Sequence, residues 1–295
     1  ERDFREKWKA WQGKSVSGSV EVVEREQLDP WQRFAYDILE RKAAEREALE
    51  AEAMAQWGGA GASREGAQLE GGLPPSSMSA YDPLRLILTG AAGTGKSRTV
   101  RAGVAGRRRR MERHGRSAEE SGRACLLAAP TGCASFQMKY GATTVHRAYG
   151  IQPRRYCGPT HDKQSNYFLS RVARLRAARL YVLDEFSMIG RQQLGRIDFR
   201  VQEALASARR EFGRDVSLGG RDVFMAGDVR QISPIGDESL FKEGPYTGNA
   251  QNKPKNAKGK YVDAPPGTPS MAELTAMGLA ARESFEAVSY THLRA

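Results

Sequence analysis

The chain has only three cysteines in 295 residues, too few for a disulfide-stapled fold of this length. Cys125, Cys133 and Cys157 form no C-x-x-C pair and have no histidine at zinc spacing, which argues against a structural zinc site and a redox dithiol. They read as reduced thiols of an intracellular protein. Long apolar runs are missing too: none approaches the ~20 residues of a membrane span. No secretory signal opens the chain, and no internal repeat is visible. The first residue is Glu1 rather than Met, which leaves the true N-terminus and any organelle address open.

Positive charge, in contrast, is plentiful. There are 46 Lys+Arg against 35 Asp+Glu, a net charge of +11. Such a balance favours a polyanionic partner, because each neutralised phosphate releases a counterion. Taken alone it is equally compatible with a basic protein that binds no nucleic acid. Hydrophobic residues make up 40% of the chain, enough for a core, while a mean hydropathy of −0.59 leaves much of it solvated.

Residues 1–27 are charged and mixed, and read as a partly helical lead-in. Asp29 is a good N-cap and Pro30 a good first helical residue. Phe34, Ile38 and Leu39 follow at helical spacing, which predicts a helix to about Gln56. Residues 57–80 hold many Gly, Ser and Pro and read as a linker inside a domain spanning 28–243. Short apolar runs then alternate with helical segments. Strands are predicted at Leu84–Leu88, Ala124–Ala128, Leu180–Leu183 and Asp222–Ala226. Helices are predicted at Ser97–His114, Thr131–Tyr140 and Arg191–Arg210. The alternation implies an α/β fold with a parallel sheet flanked by helices, and ligands beyond the C-terminal strand ends. Residues 244–269 are rich in Gly, Pro, Asn and Lys and read as a mobile loop. A helix is predicted over 270–287. Residues 288–295 look foreign to the fold, either a translated sequencing adaptor or a ragged terminus.

Three patterns sit at predicted strand ends. Gly90-Ala91-Ala92-Gly93-Thr94-Gly95-Lys96-Ser97 fits G-x-x-x-x-G-K-[ST] between a strand and a helix, the context that motif demands. Its glycines let backbone N–H groups turn inward around phosphates, and the helix N-terminus adds partial positive charge. Lys96 then reaches the β- and γ-phosphates of ATP, and the Ser97 hydroxyl is a ligand for Mg²⁺. Asp184-Glu185 ends an apolar strand with two carboxylates pointing different ways; Asp184 suits the metal and Glu185 the general base. Gly227-Asp228-Val229-Arg230-Gln231 ends the next strand, where Gln231 is placed to sense a γ-phosphate and Asp228 to support the metal shell. An isolated Asp-Glu would read as a surface turn; beside a phosphate loop it does not.

These residues, with Ala129-Pro130-Thr131-Gly132-Cys133-Ala134, resemble motifs I, Ia, II and III of superfamily-one DNA helicases. Within that superfamily the pattern is similar to the petite-integration-frequency (PIF) group and its RecD-like relatives. Thr143-Thr144-Val145-His146-Arg147 resembles that group's T-[IVL]-H segment, and Gln32 after Leu28-Asp29 its adenine-reading Q motif. The matches run from about residue 28 to 235 in the family's order. The resemblance implies a P-loop NTPase fold, RecA-like, representing the first motor domain. It implies ATP hydrolysis coupled to 5′-to-3′ translocation on single-stranded DNA. Partners would be single-stranded DNA and junctions, with roles in repair, recombination or telomere maintenance. The compartment would be the nucleus or mitochondrion of a eukaryote. It assigns Pro130, Thr131, Gly132, Thr143 and His146 to DNA. His146 also fits a hydrogen-bonded histidine in a packed turn. The rival readings are an AAA+ remodeller of proteins, a non-enzymatic nucleic-acid-binding module, and the helicase part of a transposon or conjugation protein.

The chain departs from the family pattern in places. Arg230 stands before Gln231 where the family has an apolar or aromatic residue, and Ile232-Ser233-Pro234 replaces Pro-Pro. Arg107–Arg110 is no family hallmark and reads as a solvated helix face. Motifs IV to VI, and the second RecA-like domain that supplies arginines across the cleft, would follow the last helix; the chain is expected to stop before them. A monomeric motor needing that domain is implied, with a fragment that hydrolyses ATP slowly.

Overall fold

The structure, a computed structural model, describes residues 23–58, 81–152, 157–206, 217–242, 252–253, 260–283 and 289–290. Most of the expected lead-in (1–22), nearly all of the linker (59–80), much of the 244–269 loop and most of the tail lie outside these residues.

Among the described residues, six parallel strands form one sheet in the order β3-β2-β4-β5-β1-β6. They are β1 (Arg85–Thr89), β2 (Cys125–Ala129), β3 (Thr143–Thr144), β4 (Leu180–Leu183), β5 (Asp222–Gly227) and β6 (Ser289–Tyr290). The four predicted strands lie within a residue of their expected bounds. The two-residue strands β3 and β6 were not predicted. β6 falls in the segment expected to be foreign, yet Ser289 and Tyr290 pair with Ile87 and Leu88 of β1.

The central strands β2, β4 and β5 are buried along their whole length, as parallel strands between two helix layers must be. Successive side chains alternate between the faces. Leu127, Val182 and Phe224 join one core with Ala35, Ile38, Leu39, Val100 and Val104. Their neighbours Leu126, Tyr181 and Val223 join the other with Tyr149, Leu175, Leu194, Ile197 and Val201.

The first layer contains α1 (Pro30–Gly58) and α2 (Lys96–Arg113). Asp29 Oδ1 accepts from the N–H groups of Trp31 and Gln32, at 3.0 and 2.9 Å, and starts α1 as expected. Gly103 and Gly106 let α1 lie close on α2: a Cβ there would meet Leu39 Cδ1 at 2.6 Å and Tyr36 Oη at 2.7 Å. After α3 (Ala118–Arg123) come α4 (Gly132–Met138) and α5 (Val145–Tyr149). The second layer is built on α6 (Asn166–Ala177), α7 (Arg191–Ala206) and α8 (Met271–Glu283). Gly195 of α7 and Gly278 of α8 bring those backbones into contact, since a Cβ on either would collide with a carbonyl of the other helix.

Two expectations are corrected. Arg107–Arg110 is not a solvated face. Arg107 is buried and pairs with Asp222 at 3.0 Å; Arg108 donates to the carbonyls of Gly122 and Tyr140; Arg110 faces Glu40 and Glu47 of α1. The run welds α2 to its surroundings. Nor is the 244–269 segment mobile throughout. Asn252 is buried, accepts from Cys157 N–H at 2.7 Å and donates to its carbonyl at 2.8 Å.

Asp222, at the N-terminal end of β5, is a buried hub away from the ligand-facing strand ends. It accepts from the Tyr81 hydroxyl (2.7 Å) and Leu84 N–H (3.1 Å), with Arg107 and Arg46 alongside. Burial works to raise its pKa, but these partners outweigh burial and hold it below the usual carboxylate range.

Candidate nucleotide site

The loop Gly90–Ser97 leaves the C-terminal end of β1 and enters α2. Gly93 and Gly95 sit at φ +83° and +80°, which only glycine adopts without cost. Gly95 is further constrained, because a Cβ there would run into the Gln32 amide. Gln32 donates from Nε2 to the Thr94 carbonyl at 3.1 Å, so the residue expected to read adenine braces the loop from outside. Thr94 Oγ1 donates to the Ala91 carbonyl at 2.9 Å. Lys96 Nζ donates to the carbonyls of Gly90 (2.7 Å) and Ala91 (2.9 Å) and is curled over its own loop. Ser97 is half-buried in the first turn of α2, where helix N–H groups have no intrahelical acceptor.

The sheet order places β5 beside β1 and β4 beside β5. Gly90 N–H donates to the Gly227 carbonyl at 3.3 Å, which ties the phosphate loop to the Gly-Asp-x-x-Gln segment. Asp184 follows β4 and is buried. Burial raises its pKa to about 6, against the Glu185 N–H bonded to its Oδ1 at 3.0 Å and the opposing charge of Lys96. Glu185 is held at φ +51°, ψ +43°, a left-handed conformation costing a non-glycine residue about 1–3 kcal/mol. Its Oε2 is buried with no hydrogen-bond partner, and so is Ser187 Oγ. A buried carboxylate oxygen with no partner in the protein is free to accept from a water or ligand O–H.

Gly227 ends β5 hard against the turn after Glu185: a Cβ would meet Phe186 Cδ1 at 2.8 Å and its backbone N at 2.9 Å. Asp228 is nearly buried and accepts from Arg230 N–H at 3.0 Å; Gln231 is exposed on the loop beyond. Lys96, Asp184, Glu185 and Gln231 thus belong to three adjacent strand ends.

The residues assigned to DNA gather at the other side of the sheet. Pro130, Thr131 and Gly132 follow β2, and Thr143 lies in β3 paired with Ala128. Thr131 Oγ1 accepts from Ala134 N–H and caps α4. His146 is half-buried in α5; burial and the charge of Arg196 keep its pKa below the ordinary histidine value. At ~4.8 Å per strand, β3 lies about 19 Å from β1 along the sheet. The nucleotide and DNA candidates occupy neighbouring stretches of one edge rather than one pocket.

The packing of Phe186 on Gly227 was not anticipated from the sequence. Neither was the anchoring of Asp237, whose carboxylate accepts from the N–H groups of Gln192, Gln193 and Glu238. The signals were present as glycines, Gly227 and Gly190, but a glycine does not name its neighbour.

Among the described residues no cluster of three or more His, Cys, Asp or Glu groups could hold a metal by itself. A divalent cation fits here only in company with phosphate oxygens. Ser97 and the buried Asp184 are the donors the chain offers.

A parallel sheet with a glycine-rich phosphate loop between β1 and its helix, and an acidic pair two strands away, defines a RecA-like P-loop nucleoside-triphosphatase domain. A family model described as an AAA domain matches residues 78–237, more than half of the chain. The chain belongs to that family. No curated protein matches it significantly.

Solved structures similar to the chain include Bacteroides Pif1 bound to single-stranded DNA, 28% identical over 54% of this chain and 32% of that one, with a TM-score of 0.38. Another is the Bacteroides Pif1 helicase with ADP-AlF3 and single-stranded DNA, 28% identical over 55% and 32%, TM-score 0.38. A third is the Pif1 helicase of Candida albicans, 23% identical over 52% and 30%, TM-score 0.37. The match spans about a third of the length of each.

Proposed function

We propose that this chain is the first motor domain of an ATP-dependent DNA helicase of the PIF type. Such an enzyme couples hydrolysis to 5′-to-3′ movement along single-stranded DNA and to unwinding. The observation that carries the reading is the adjacency of the Lys96 loop, the Asp184-Glu185 turn and the Gly227–Gln231 segment at three neighbouring strand ends. The Gly-Asp-x-x-Gln segment, Gln32 and the Thr143–His146 stretch, in the order in which helicases of this group carry them, support helicase over other P-loop ATPases.

In this reading Lys96 exchanges the Gly90 and Ala91 carbonyls for β- and γ-phosphate oxygens. Backbone N–H groups of residues 93–97 surround the phosphates, and Gln32 holds the loop while facing the adenine edge. Ser97 and Asp184 are the groups that would hold Mg²⁺, which when bound offsets the charge on the phosphates. Glu185 accepts a proton from the attacking water, a role worth roughly 10²–10⁴ in rate. Gln231 distinguishes the γ-phosphate before and after cleavage. Pro130, Thr131, Gly132, Thr143 and His146 face the strand of DNA.

A second RecA-like domain closing over the γ-phosphate completes the cycle: the contacts exist with ATP bound and vanish after hydrolysis, and DNA gripped on both sides moves one step. An arginine from that domain can be worth roughly 10³–10⁵ in rate. Residues 28–243, taken without such a domain, are expected to bind nucleotide and hydrolyse it slowly. An AAA+ remodeller acting on proteins would share the loop and the acidic pair but has no use for Gln231 or a DNA edge. Single-stranded DNA separates the two: in a protein that includes the second domain, ATPase activity rises on adding an oligonucleotide. A rate indifferent to DNA would overturn the helicase reading.

A further inference from the structure

The loop 228–236 carries Gln231, and both its ends are pinned to the segment that follows the acidic pair. At the start, Gly227 packs on Phe186. At the far end, Asp237 folds over Gly190 so closely that a Cβ on Gly190 would overlap its carboxyl group. Asp237 Oδ1 accepts from the N–H groups of Gln192 (3.1 Å) and Glu238 (2.7 Å), and Oδ2 from Gln193 (2.8 Å). Around this point Arg191 N–H donates to the Glu238 carbonyl at 2.9 Å, and its guanidinium pairs with the Glu238 carboxylate at 3.3 Å. Gly190 bridges Ser239, and the Phe241 ring meets Phe186 edge-on with centroids 5.9 Å apart.

Between these anchors the loop is open. Val229, Ile232 and Ile235 are exposed, Ile235 at 91%. Within the loop, the N–H groups of Arg230 and Gln231 both bond to Asp228, each at 3.0 Å. The place of Gln231 relative to Glu185 is then set by where the two ends are tied. One tie, Phe186 on Gly227, is steric; the other is the Asp237 carboxylate, which also caps α7.

We infer that Asp237 is a positioning residue: its two hydrogen bonds to the start of α7, with a third from its neighbour Glu238 shaping the turn, hold the Gln231 loop in register with Glu185, so that both address one γ-phosphate. This rests on the triphosphate reading above. A cap alone would stabilise α7 and leave nucleotide preference untouched. A register tie separates ligands that have a γ-phosphate from those that do not.

The test compares affinities for Mg–ATPγS and Mg–ADP in the 295-residue chain and in Asp237→Asn, Asp237→Ala and Gly190→Ala. The wild-type chain is expected to prefer ATPγS. Asp237→Ala lowers that preference about tenfold with ADP affinity unchanged. Asp237→Asn, which keeps one oxygen and with it one of the two bonds to α7, falls between, and Gly190→Ala displaces the carboxylate and acts like Asp237→Ala. If Asp237→Ala does not fold, Asp237→Asn decides by the same ratio. Variants that keep the wild-type preference, or lose both nucleotides in parallel, overturn the inference while leaving the nucleotide site standing. A wild-type chain that binds ADP and ATPγS equally overturns it as well, by removing the sensing role of Gln231. A wild-type chain that binds neither sinks the nucleotide reading itself.

Discussion

Gly227 and Phe186 are in contact through backbone as well as ring: a methyl on Gly227 would stand 2.9 Å from the Phe186 nitrogen. The two residues join the strand end bearing Gln231 to the turn bearing Glu185. Neither side can yield by a rotamer change alone, since one of the atoms met is backbone. Gly227→Ala is expected to cost about 1–3 kcal/mol of stability. It should also weaken nucleotide binding in the molecules that remain folded. Chemical denaturation followed by titration of the folded protein checks both.

Glu185→Gln preserves shape and removes the carboxylate that the proposed function casts as proton acceptor. In a protein containing the second motor domain, the variant should bind ATP with near wild-type affinity and hydrolyse it roughly 10²–10⁴-fold more slowly. Single-turnover kinetics beside equilibrium binding separates the two quantities. Normal hydrolysis by Glu185→Gln would move the general base elsewhere.

Asp222 is remote from the site and holds the opposite end of the sheet. Removing its carboxylate leaves Arg107 buried and uncompensated, leaves the Tyr81 hydroxyl without its acceptor, and leaves Arg46 with Glu50 alone among the described residues. Asp222→Ala should destabilise the domain by about 3–5 kcal/mol. The nucleotide affinity of whatever stays folded should not change. A small stability loss would show that solvent reaches this cluster.

Asp198 of α7 gives a pH signature. It accepts from Leu218 N–H at 2.8 Å and from Gln202 Nε2 at 3.0 Å, holding a turn in which Leu218, Gly219 and Gly220 all have positive φ. Burial raises its pKa to about 6, against those bonds and the nearby charge of Arg85. A raised carboxylate pKa means the folded state holds the proton more tightly than the unfolded chain. Its contribution to stability therefore grows as pH falls from about 6 toward 4 and is lost as pH rises through 6. In Asp198→Asn that dependence should disappear. Urea denaturation of both proteins at pH 4.5 and 7 measures the difference; equal slopes for the two would contradict it.

The site was more legible in the sequence than the scaffold that holds it. Gly90–Ser97, Asp184-Glu185 and Gly227–Gln231 are local patterns, each at the end of an apolar run, and a parallel sheet must bring such ends to one edge. The strands β1, β2, β4 and β5 and the helix begun by Asp29 and Pro30 were visible for the same reason. What escaped depends on partners far along the chain. Arg107 looks solvated until Asp222, 115 residues on, is placed beside it. Asn252 looks like loop until it is paired with Cys157. α5 and β3 are too short to show a period, and α6 was overlooked although Ser165 caps it. Asp237 has no motif around it. Its importance comes from Gly190, 47 positions earlier, having no side chain in its way.

The account as a whole depends on Lys96 turning from its own loop toward bound phosphates. The most direct measurement is the affinity of the 295-residue chain for a fluorescent ADP analogue with Mg²⁺, set beside that of Lys96→Ala. Saturable binding by the wild-type chain, weakened on the order of a hundredfold in the variant, is the predicted result, since hydrogen bonds to charged groups contribute about 1.5–3 kcal/mol each. Equal affinities for the two proteins, or no binding by either, would contradict it.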